Sequence, residues 1–320
     1  MDYSIVKKVF DERIKKADDD EYLKNANILY RHEFAAEYSS FSGDEGYFRE
    51  LVENTSSFAG TCFEKQDEDG SMAGNVKETA KACAFMCIVS RVYEDLDPIF
   101  ARDSVHVALD AAHYLLVSGI DLKNLELSEK ISMLWAFSEL SQTDVEIKNT
   151  YDHSLMAGMP QKMSRQKKYK MFVTQILSDV LPSLVSESED KDYAARALQS
   201  IDSADFDMLM NSLLIISTID DEIFGDETKS KTSKAIFEIA DAQAGDGSDG
   251  DTSARSLSSM FGRILAEYLL LKDKEIEESS DSQLIKVIEY NVINNKKKKL
   301  SDEDKKILNE RIERYSKEML

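Results

Sequence analysis

The chain has 320 residues, with 61 Asp+Glu against 40 Lys+Arg and a formal net charge of −21. Its 12 Gly and 3 Pro are less than half the usual share of turn-formers. That leaves little room for the tight turns of a sandwich, barrel or propeller, and excludes a collagen-like or Pro/Gly low-complexity chain. A 42% hydrophobic content with 14 Phe and 13 Tyr supplies a core and argues against a wholly disordered acidic chain.

Helical periodicity runs from end to end. Ile5, Val6, Val9, Phe10 and Ile14 share a first face. A helix is predicted over 19–38 with Tyr22, Ala26 and Leu29 on adjoining turns, and another over 44–58 with Tyr47, Phe48, Leu51 and Val52. The polar stretch 64–74 reads as a loop. An Ala- and Cys-rich helix follows over 73–95. Asp97 then caps a helix whose first residue is Pro98, where a missing N–H costs nothing, and which stops at Gly119. Ser128 opens the next, with Ile131, Leu134, Trp135 and Leu140, and Pro160 and Pro182 bracket another. The run SESEDKD over 186–192 is the best boundary between lobes. Beyond it, helices are predicted near 190–201, 204–218, 227–242, 253–273, 281–294 and 301–319, with AGDGSDGD over 244–251 as a loop. The expectation is an all-α multi-helix bundle of about 13 helices in two lobes, 1–185 and 190–320, the second ending in a basic-then-amphipathic helix.

Three stretches, from Met86, Leu134 and Leu213, share a helix, an acidic turn and a second helix, but with no fixed repeat period. The third resembles the helix–acidic-turn–helix unit of tellurite-resistance TerB-type domains, with Asp220-Asp221-Glu222 where that family has an Asp-Gly turn. The resemblance is confined to this unit and implies no function.

Four groups of side chains have spacings that bear on chemistry. His106, Asp110 and His113 are spaced four and three apart, which on a helix puts them on one face within reach of a divalent ion. Asp220, Asp221 and Asp226 crowd an acidic turn that offers carboxylates to a metal or caps a helix N-terminus. Cys83 and Cys87 share an apolar stripe and read as small buried hydrophobes. Lys162, Arg165, Lys167, Lys168 and Lys170 form a +5 island in a stretch, 155–178, that has no acid. Cations there oppose the helix macrodipole, so either the chain's own acids or a partner must hold them.

Lys296, Lys297, Lys298 and Lys299 make a second basic cluster. Residues 296–320 carry nine basic and six acidic groups, which leaves −24 on the rest. The phosphate-loop pattern GxxxxGK[ST], GxSxG and HExxH are all absent.

The opening MDYSIVKKVF has no secretory pattern, no apolar run reaches membrane-span length, and three sparse cysteines suggest no disulfide framework. A cytoplasmic chain is expected, or one in a virion or host cytoplasm if viral. Its acidity favours a protein partner with a basic surface over nucleic acid or membrane; the basic island and tail are the two exceptions. The leading expectation is a non-catalytic interaction or regulatory protein acting through acidic helical surfaces, with no cofactor. The alternatives are a DNA-mimic inhibitor of the phage or mobile-element type, and a metal-dependent helical enzyme using His106, Asp110 and His113.

Overall fold

The computed structural model describes most of residues 11–36, then 51–143 apart from 95, 165–184 and 201–218, with single positions at 197, 231, 232, 235 and 239. Among the described residues the chain is all-α, with no strand. The α-helices are α1 Glu21–Ala36, α2 Ser56–Lys65, α3 Val76–Tyr93, α4 Pro98–Val117, α5 Leu127–Gln142, α6 Arg165–Leu184 and α7 Ser203–Thr218. None of the described helices is long and apolar enough to cross a membrane.

Two helices make the centre. Every residue of α3 from Thr79 to Ser90 is buried, as is every residue of α5 from Ile131 to Ser141. Burial on all sides requires a helix without a polar face, and the Ala, Cys and Ser of these segments keep it thin enough for neighbours to close in. α3 packs against α4, α5 and α1, and α5 adds α6 and α7 on its other flank. Rings weld the outer layers on. Tyr22, Phe58 and Phe85 form a triangle joining α1, α2 and α3, with centroids 5.1–6.4 Å apart. Phe137 of α5 meets Phe172 of α6 edge-on at 4.7 Å.

Local signals set several boundaries as expected. The Asp97 carboxylate accepts from Ile99 and Phe100 N–H at 3.1 and 3.0 Å, with Pro98 behind it. Gly119 follows the last turn of α4 at φ +74. Others moved. α5 opens at Leu127, because Glu129 reaches back to accept from Glu126 N–H at 2.9 Å, and Ser128 lies inside the first turn. α6 runs through Pro182 to Leu184, and the proline removes the donor that the carbonyl four residues back would use, once and near the helix end. A short π-helical turn, Leu51–Thr55, precedes α2, and α2 extends into the start of the expected loop. The described part of the expected second lobe, α7, packs on α5. Arg13 reaches it too, donating to Asp207 at 3.3 Å and Asn211 at 3.1 Å.

The core contains charge. Glu139 on α5 is fully buried, and its Oε2 pairs with Arg91 of α3 at 2.7 Å. Its Oε1 accepts from the Tyr30 hydroxyl of α1, which in turn accepts from Trp135 Nε1 at 3.0 Å. Lys81 is held by Asp20 at 2.7 Å; burial works against its ammonium, but Asp20 and Glu78 outweigh it and its pKa is raised. Removing one member of a buried pair strands the other, at a cost of roughly 3–5 kcal/mol. Glu139→Ala is therefore expected to lower unfolding stability by about that much. Emission from Trp135, the chain's single tryptophan, reads it directly, and a denaturation midpoint unchanged from wild type would contradict the assignment.

His32 gives a pH signature. Burial, aided by the Arg31 charge beside it, holds its imidazole down at about 4 against an ordinary 6.5. The unfolded chain takes up this proton below pH ~6.5, the folded one only near 4, so stability falls as pH drops through that window. The expected loss is about 3 kcal/mol from this group. His32→Gln should remove that increment from the stability–pH curve; a wild-type slope in the variant would refute it.

Candidate functional site

The end of α2 and the segment after it lie along α4 and run in the same direction. Phe63 meets Phe100 with centroids 5.9 Å apart, Gln66 Nε2 donates to the Val107 carbonyl at 2.9 Å, and the Tyr114 hydroxyl donates to the Gly74 carbonyl at 3.1 Å. Phe100, Val107 and Tyr114 recur every seven residues, so the segment follows one stripe of the helix.

Its turn is compact. Gln66 and Met72 form an antiparallel bridge, and Ser71 N–H donates to Asp69 Oδ1 at 2.9 Å. Gly70 is obligatory here: a Cβ would fall 2.2 Å from the Asp110 carbonyl oxygen, and its φ is +88. Ala73 and Gly74 both take positive φ, and Asn75 N–H closes the turn on the Met72 carbonyl at 3.0 Å. That is a type I′ geometry, for which alanine is a poor choice.

What this builds is an acidic ledge. Glu64, Asp67, Glu68 and Asp69 are exposed on the segment, and Asp103 and Asp110 fall on the α4 stripe beside it, half-buried. The Ser71 backbone N–H, and then its hydroxyl, hold the Asp69 carboxyl below its ordinary value, so Asp69 keeps its charge further into acid. Burial raises Asp110, opposed by His106 and His113. Lys65 is exposed nearby, and Arg102 is taken up by Asp103 at 3.2 Å.

The ledge belongs to a wider asymmetry. Arg13, Arg31, Lys81 and Lys170 are buried and engaged within the protein. Exposed acids, among them Glu21, Glu53, Glu94, Asp97, Asp121 and Glu126, outnumber exposed cations more than two to one among the described residues.

The residues singled out by sequence fare differently. His106, Asp110 and His113 lie on α4, all half-buried, as their spacing requires. Gly70 sits against the Asp110 main chain, so the loop runs beside that face. Among the described residues, no group of three or more His, Cys, Asp or Glu side chains is drawn together to hold a metal ion. Arg165, Lys167, Lys168 and Lys170 open α6, and Lys170, only 6% exposed, points into the protein. Lys162, Asp220, Asp221, Asp226 and Lys296, Lys297, Lys298 and Lys299 lie outside the described residues.

Cys83 donates to the Ala108 carbonyl at 3.3 Å and Cys87 is buried one turn on. Burial, reinforced by Cys87, pushes the Cys83 thiol well above its ordinary value, and burial pushes Cys62 up to about 12. These are packing thiols, without the electropositive setting a nucleophile needs.

Sequence reasoning missed the ledge because it depends on which helix the 64–74 loop lies against. The Asp/Glu run was visible; the seven-residue stripe of Phe100, Val107 and Tyr114 was the signal that an element crosses there.

No protein-family description, no curated protein and no solved structure matches the chain.

Two outcomes follow from this geometry. All three thiols should resist a water-soluble alkylating reagent in the native protein and react together on denaturation; fast native labelling of Cys83 would overturn their packing role. Gly70→Ala should destabilise by more than about 2 kcal/mol, whereas Ala73→Gly should stabilise by about 1 kcal/mol, both read from urea midpoints. Equal and small effects would mean that the turn is not held as described.

Proposed function

We propose that the chain is a non-catalytic protein-interaction or regulatory protein that works through acidic helical surfaces, in a cytoplasmic or host-cytoplasmic setting. The proposal includes an architecture of about 13 helices in two lobes, 1–185 and 190–320. Its partner is a protein with a basic surface.

The observation that carries this reading is the ledge formed by Glu64, Asp67, Glu68 and Asp69 with Asp103 and Asp110 along α4. Within the turn the Ser71 N–H holds the Asp69 carboxylate at 2.9 Å and the Ser71 hydroxyl meets that of Asp67 at 3.4 Å, so a cationic partner meets these two already ordered and loses less entropy on binding. Screening acts over about 8 Å at physiological salt, so several acids on one ledge act on a partner together. A metal-dependent enzyme built on His106, Asp110 and His113 has no convergent ligand set among the described residues to support it.

The test is capture of partners from native lysate followed by quantitative binding of the purified partner to wild type and to Asp67→Asn/Glu68→Gln/Asp69→Asn. These substitutions keep side-chain shape and the turn's acceptors while removing charge. Binding should weaken about tenfold or more in the variant and fall steeply between about 50 and 300 mM salt. Equal affinity for both proteins, or indifference to salt, would sink the acidic-surface reading. Competition by duplex DNA for the same partner would redirect it to the DNA-mimic alternative.

A further inference from the structure

We draw no further inference here: the strongest candidate, the acidic side-chain cluster of the 64–69 turn and the neighbouring α4 stripe, belongs to the surface already described, and nothing else among the described residues points to a ligand for it.

Discussion

The helical core is organised by one buried ion pair. Taking the Glu139 carboxylate and the Arg91 guanidinium out of water costs several kcal/mol each, and only good geometry with further hydrogen bonds offsets it. Here both carboxylate oxygens are used: Arg91 takes one at 2.7 Å and the Tyr30 hydroxyl takes the other. Thr143 adds a contact to Arg91 at 3.3 Å while its hydroxyl bonds back to the Glu139 carbonyl at 2.8 Å. An apolar patch would let α1, α3 and α5 slide or rotate against one another at small cost. A charged cluster does not, because any shift of register leaves a desolvated charge without its partner. The three helices are locked in mutual register within the core.

The outer elements inherit that register. Fixing α3 fixes α4, which lies along it through small residues such as Ala80, Cys83, Ala108 and Ala112, and the Cys83–Ala108 contact shows how near the two backbones come. Fixing α4 in turn fixes the segment over it, because Gln66 is bonded to a helix carbonyl and Gly70 touches the main chain at Asp110. The position of the exposed carboxylates at 67–69 therefore traces back, element by element, to a charge that never meets solvent.

Much of this was legible in the sequence where the cause is local. The 3.6-residue period, the Asp97–Pro98 start and the Gly119 stop act within a few residues, and the structure follows them. Signals that compete locally were read less well: Ser128 looked like a cap, but Glu129 could serve Glu126 instead. Causes acting at a distance were not legible. Arg13 and Asp207 are 194 positions apart, and nothing in either neighbourhood names the other. Glu139 and Arg91 were at least conspicuous, each a lone charge inside an apolar stretch, which is the mark of a buried pair whose partner must be sought elsewhere. The trio of His106, Asp110 and His113 illustrates the converse: helical spacing places residues on a face, but only tertiary packing decides what lies beside it, here a loop against the Asp110 main chain.

The core also changes the meaning of the net charge. Each buried ion pair withdraws one acid and one cation, so it leaves the total at −21. The two pools are unequal, however, with 40 cations against 61 acids, and equal withdrawals deplete the smaller one faster. Arg13, Arg31, Lys81 and Arg91 are drawn inward by Asp207, Asp11, Asp20 and Glu139. What remains outside is more acidic in proportion than the sequence as a whole. A long-range field depends on the charges left near solvent, since pairs in contact nearly cancel beyond their own separation. Burying matched pairs therefore leaves the excess of acids intact and only lowers the proportion of cations beside it, and the guanidinium that locks α3 to α5 is one of those withdrawn.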